Sequence, residues 1–168
     1  PYSLTLPYSS APIAFRNILK DTPAWGMYSA ETWISSTNKL PDLTGNRRDA
    51  DTKNVIFNSS KGNGAVLDIK YLSGSKTSSI VWPTGSIPAN FTICSITRYT
   101  GTTITNNYRI LQSVTGNWLH GHWGNRRGVT HYDRWINPTA KGSVNDWVVC
   151  CGKNSGTKPN NIIVDGEP

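Results

Sequence analysis

The chain has 168 residues, enough for one domain with a substantial core. Only 16% of them are charged, so the surface must be covered by hydroxyls and amides, a balance usual among extracellular β-proteins. The net charge of +7 comes from 17 Lys and Arg against 10 acids, scattered singly or in pairs without a nucleic-acid motif, and no apolar run approaches the length of about 18 residues that a membrane span needs.

In chain order, the first 30 residues are broken into extended pieces by Pro7, Pro12 and Pro23. Residues 1–30 are expected to form an arm or edge segment, with one helical turn around Phe15–Leu19, and residues 31–168 the domain proper. The chain starts at Pro1 without a signal-like segment and reads as a processed or excised product. Strand signals then follow one another: Val55–Phe57, Val66–Tyr71, Ser79–Trp82, Phe91–Tyr99, Tyr108–Ser113, Trp118–Trp123, Gly128–Trp135, Trp147–Cys151 and Ile162–Val164. Each is short, rich in β-branched or aromatic residues and bounded by turn residues. The expected fold is all-β, an antiparallel two-sheet β-sandwich. Both faces of Phe91–Tyr99 begin apolar and end polar, as in a strand that is central in a sheet for part of its length.

Three cysteines, Cys94, Cys150 and Cys151, permit one disulfide. Neighbouring residues of a strand point to opposite faces, so only one of Cys150 and Cys151 can meet Cys94. Asn58-Ser59-Ser60 and Asn90-Phe91-Thr92 are acceptor tripeptides for glycosylation. Asn58, in a Ser/Gly-rich stretch expected to be a loop, is the preferred one.

The order of these segments resembles a known family. Trp33 and Leu40-Pro41-Asp42-Leu43-Thr44-Gly45-Asn46-Arg47-Arg48-Asp49-Ala50 resemble the entry motif of the laminin G-like, or concanavalin A-like, jelly rolls. Phe91-Thr92-Ile93, Tyr108-Arg109-Ile110-Leu111, Asn117-Trp118-Leu119, Trp147-Val148-Val149 and Asn161-Ile162-Ile163-Val164-Asp165-Gly166 resemble later strands of that family in the same order. The resemblance spans Trp33 to Gly166 and implies a jelly roll. In the family further strands follow the last hairpin, whereas only Glu167 and Pro168 follow here. The jelly roll is therefore expected to be incomplete at its C-terminal end, with its last hairpin unable to close. A strand from a partner chain, or from a continuation of this one, is expected to finish the sheet.

Catalytic patterns are not found. Glycoside hydrolysis needs two carboxylates flanking one bond, and Glu31 and Glu167 have no such spacing, while Asp49-Ala50-Asp51 reads as loop capping. There is no G-x-S-x-G elbow and no Gly-rich phosphate cradle. No cofactor is expected.

The most distinctive segment is Asn117 to Trp135, which holds all three histidines and three of the seven tryptophans. A hairpin through Gly124–Gly128 would place His131 opposite His120 and His122. Three imidazoles on one face could bind Zn²⁺ or Cu²⁺, although structural or glycan-contacting roles are commoner and no metal is expected. Aromatic faces beside amides and guanidinium groups suit sugars, which present C–H patches next to hydroxyls. Trp118, His120, His122, Trp123, Arg126, His131, Tyr132 and Trp135 are the candidate glycan-binding residues. The expected function is a non-catalytic, lectin-like recognition or adhesion module, secreted or displayed on a cell or virion surface, with a glycan or cell-surface component as partner. The alternative is a structural subunit of a filament, sheath or other surface assembly, a homo-oligomer completed by neighbouring chains.

Overall fold

The computed structural model describes residues 24–100, 108–156 and 161–168. The helical turn expected at Phe15–Leu19 lies outside them. The regular structure of the described residues is all β apart from a 3-10 turn at Ala30–Thr32. Its strands are β1 (Lys39–Leu40), β2 (Ala50–Lys53), β3 (Ile56–Gly62), β4 (Ala65–Ser73), β5 (Ser79–Val81), β6 (Thr92–Thr97), β7 (Leu111–Gln112), β8 (Trp118–Trp123), β9 (Arg126–Tyr132), β10 (Trp135–Asn137), β11 (Val148–Lys153) and β12 (Ile162–Val164). Every strand pair whose register is defined is antiparallel.

The described residues form two compact units, one of 24–60 and 69–86, the other of 61–68 and 87–168. Most of the arm expected over residues 1–30 lies outside the described residues. The first unit carries the sheet β1-β2-β5. Its β1 and β2 lie in or beside the segment read from sequence only as an entry motif. The alternation of β2 is nevertheless that of a half-buried strand, with Ala50 and Thr52 inward and Asp51 and Lys53 outward. Trp33 Nε1 donates to Thr52 Oγ1 at 2.9 Å. The loop between β1 and β2 is organised by carboxylates, as expected of Asp49. Asp42 Oδ1 accepts from the amides of Met27 and Thr44, and Asp49 Oδ1 accepts from the Asp42 amide. Asp51 is not part of that loop, because it lies in β2 and pairs with Lys39 of β1 at 2.5 Å.

Strands β3 and β4 form a two-stranded hairpin whose turn residues Asn63 and Gly64 have φ of 53° and 84°. Consecutive left-handed residues suit a two-residue turn, and Asn-Gly is the pair that adopts it most readily. Asn58 therefore sits in a strand rather than a loop, half-buried, with its Nδ2 donating to Ile56 O and Ser73 Oγ. Asn90, exposed in a bend before β6, is the better-presented acceptor.

In the second unit a four-stranded sheet, β10-β9-β8-β7, packs on a three-stranded one, β12-β11-β6. Among the described residues strand β11, not β6, is central, and β6 pairs on one side only. The single strand expected over Gly128–Trp135 is broken by a turn at Asp133, with φ of 55°, into β9 and β10. Trp118, Tyr132, Ile136, Val148, Cys150, Ile162 and Val164 form the core, with Phe91, Ile93 and Leu111 packed against it. Full burial of each such aliphatic side chain is worth about 1.5–3 kcal/mol relative to exposure.

Cys94 and Cys151 stand directly opposite in β6 and β11 and form a disulfide. Cys150 faces the core as a free thiol, pushed up to about 12 by burial. At the C-terminal end, the Asp165-Gly166 turn does close: the Val164 amide donates to Glu167 O and the Glu167 amide to Val164 O. It closes because Asp165 is held independently, its amide donating to Val149 O and its Oδ1 accepting from the Val149 amide.

Candidate functional site

The segment singled out by its histidines and tryptophans is a hairpin. Strands β8 and β9 pair from Trp118↔Tyr132 to Trp123↔Arg126 around a turn at Gly124 and Asn125, both left-handed with φ of 57° and 63°. The ladder skips one residue. Gly121 pairs with Val129 but His122 pairs with Arg127, leaving Gly128 as the bulged residue. Gly128 has φ of 74°, and a Cβ there would lie 2.8 Å from Val164 Cγ1. Only glycine meets both demands without strain.

This bulge resets the side-chain alternation of β9 and so decides the fate of two adjacent arginines. Arg127 turns inward, only 5% exposed. Its Nη2 donates to Asp165 Oδ2 at 2.6 Å and its Nη1 to Lys141 O at 2.6 Å, and Nη2 also bonds to Trp147 O. Arg126 turns outward opposite Trp123. Its guanidinium lies 4.6 Å from the Trp123 ring centre and 5.4 Å from that of Trp135, within the range of cation–π attraction. Nη1 donates to Pro138 O at 2.9 Å, which fixes the fork in that position.

The eight residues expected to contact a ligand divide between the two faces of the hairpin. Trp118, His120, His122 and Tyr132 are buried and belong to the inner face. Trp118, His120 and Tyr132 stack nearly parallel, with centroids 5.4–6.2 Å apart. His120 Nε2 lies 3.1 Å from Cys150 O, and Nδ1 lies 2.7 Å from Tyr132 Oη. A carbonyl can only accept, so Nε2 carries the proton and Nδ1 accepts from the phenol. Burial pushes the His120 pKa down to about 4 and holds the Tyr132 phenol well above its usual range. Burial, aided by the Arg127 guanidinium, also lowers His122 to about 4. These groups are excluded from a surface site because the pairing places them between two sheets.

Trp123, Arg126, His131 and Trp135 occupy the outer face. His131 is opposite Leu119, not opposite His120 or His122, so the three imidazoles do not converge. Its Nδ1 donates to Asn117 O at 2.8 Å, and its ring meets that of Trp135 edge-on at 5.0 Å. The two indoles, 36% and 42% exposed, lie 5.6 Å apart and tilted by 49°. Together with Leu119 they line a half-open depression of about 190 Å³. Arg109 and Asn117, absent from the sequence-based set, complete it. Arg109 Nη2 donates to Asn117 Oδ1 at 2.7 Å, and its Nη1 to Trp118 O at 3.3 Å. Nothing in the local sequence marks Arg109, because it reaches the site from the segment before β7 by sheet pairing.

The lining combines two exposed indole faces, an imidazole, an amide and a guanidinium, with no carboxylate among the described residues. Such a surface can hold a ligand with an apolar face and hydrogen-bonding edges. Among the described residues, no group of three or more His, Cys, Asp or Glu is placed to hold a metal ion, and no helix is long and apolar enough to cross a membrane. Comparison with known proteins finds no family model, no curated protein and no solved structure that matches this chain.

Proposed function

We propose that this chain is a non-catalytic, lectin-like recognition module that binds a glycan on the outer face of β8, β9 and β10. The observation that carries the reading is the pair of exposed indoles, Trp123 and Trp135, bordering a depression that Arg109, Asn117 and His131 line with hydrogen-bonding groups. A pyranose ring lays its C–H face on an aromatic plane and turns its hydroxyls outward. Arg109, Asn117 and His131, which line the same depression, supply polar groups for those hydroxyls. Arg126, braced by Pro138 O, holds the two indoles in one arrangement, so little side-chain entropy is lost on binding. The disulfide fits an oxidising, extracellular setting, and so secretion or surface display. The laminin G-like jelly roll stays part of the reading on the strength of its sequence motifs.

A glycan array probed with the native protein, Trp123→Ala and Trp135→Ala tests this. The native chain is expected to retain a defined set of sugars, and each variant to lose about tenfold or more in affinity, the worth of an aromatic contact of about 1.5 kcal/mol, while unfolding at an unchanged temperature. A native protein that retains no glycan, or two variants that bind as well as it does, would overturn the reading.

The second reading, a structural subunit of a surface assembly, is favoured by a separate observation. Val66 and Leu67 of β4 are 79% and 75% exposed.

A further inference from the structure

Charge is spread unevenly around the depression. Of the residues that line it, Arg109 alone carries a permanent charge. Its guanidinium is half-buried and held in place, with Nη2 donating to Asn117 Oδ1 at 2.7 Å and Nη1 to Trp118 O at 3.3 Å. Both acceptors are neutral, and a guanidinium has further N–H donors, in a planar fork, beyond those that these bonds use. Arg126 sets a second guanidinium against the indoles of Trp123 and Trp135, and its Nη1 also donates to a neutral group, Pro138 O. The contrast with Arg127 is informative. On the inner face of the same hairpin, where a charge has to serve the fold, the guanidinium is neutralised by Asp165. On the outer face, no carboxylate among the described residues pairs with Arg109 or Arg126. A half-buried cation without a counter-charge has given up part of its hydration for neutral partners only, and an arriving anion would relieve that deficit.

We infer that the depression selects an acidic saccharide, whose carboxylate or sulfate group is taken by the Arg109 fork while a sugar ring lies on the indoles of Trp123 and Trp135. The inference rests on the glycan-binding reading and narrows it to a substrate class. A guanidinium meets two oxygens of such an anion with parallel N–H bonds, which are shorter than neutral hydrogen bonds and about twice as strong. Asn117 helps in two ways: its Oδ1 fixes the orientation of Arg109, and its Nδ2 remains a donor. With no carboxylate in the lining, the anion meets no like charge among the described residues. The net charge of +7 draws anions toward the molecule as a whole, but it acts at every part of the surface. Selectivity between an acidic sugar and its neutral counterpart comes from the fork beside the indoles.

An array of oligosaccharides in matched neutral, carboxylate-bearing and sulfated forms, probed with the native protein, Arg109→Gln, Arg109→Lys and Lys61→Gln, decides the matter. The native chain is expected to hold acidic forms about tenfold or more tightly than their neutral counterparts, and whichever acidic form is preferred identifies the anion. Arg109→Gln is expected to abolish that preference while neutral forms are held as before. Arg109→Lys keeps the charge without the fork and is expected to reduce the preference about threefold, which preserves the test should the glutamine variant fail to fold. Lys61→Gln removes the same charge from an exposed position of β3 and is expected to leave the preference intact. A preference that survives unchanged in both Arg109 variants, or that falls equally in Lys61→Gln, would overturn the inference. A native chain that holds neutral forms as tightly as acidic ones would also overturn it and leave glycan binding standing, whereas a chain that holds no form at all would overturn the glycan reading with it.

Discussion

Two buried histidines make the protein sensitive to acid. His120 and His122 are neutral in the fold, with pKa pushed down to about 4, whereas in an unfolded chain they titrate near 6.5. As pH falls, the unfolded state takes up protons first. The stabilisation is therefore complete above pH 6.5 and is lost as pH falls from there toward 4, each histidine contributing on the order of 3 kcal/mol. Urea unfolding followed from pH 7.5 to 4.5 is expected to show this decline, and the imidazole signals of His120 and His122 are expected to titrate near pH 4 by NMR. A flat stability profile with the His120 and His122 signals titrating near 6.5 would contradict it. Gly128 is a second residue whose chemistry cannot be exchanged. Gly128→Ala adds a methyl group 2.8 Å from Val164 Cγ1 and retains a positive φ, so it is expected to cost about 2–4 kcal/mol. A denaturation midpoint within error of the native value would show that β9 adjusts around it.

Strands were far more legible in the sequence than the sheets they build. Runs such as Trp118–Trp123 and Ile162–Val164 coincide with β8 and β12, because alternation and β-branching act locally. The two-residue β1 and four-residue β2 are too short for alternation to mark them, and the break between β9 and β10 rests on one left-handed Asp133. The candidate site was legible as a segment but not as a face. The Gly128 bulge reverses the alternation that a sequence reading assumes, and Arg109 arrives only through pairing with a distant strand. At this scale the disulfide is the main covalent constraint, joining β6 to β11 across 57 residues. Its removal in a Cys94→Ala, Cys151→Ala variant is expected to lower unfolding stability by about 4 kcal/mol in the loop-entropy model. Equal denaturant midpoints for the variant and the native protein would refute that expectation.

Across the whole molecule, the disulfide's position relative to the candidate site matters as much as its energy. All the residues of the depression, from Arg109 to Trp135, lie within the covalent loop that runs from Cys94 to Cys151. Tension carried along the backbone from outside this loop passes through the sulfur bridge and bypasses the polypeptide between the two cysteines. That sequence separation of 57 would otherwise pay out about 200 Å of chain at full extension. While the bridge is intact, pulling on either flank can peel β12 or the segments before Phe91, but it cannot draw out β7, β8, β9 and β10. The sheet that carries the depression is thus shielded from mechanical load, and a contact formed there would be expected to rupture before the surface that makes it is stretched.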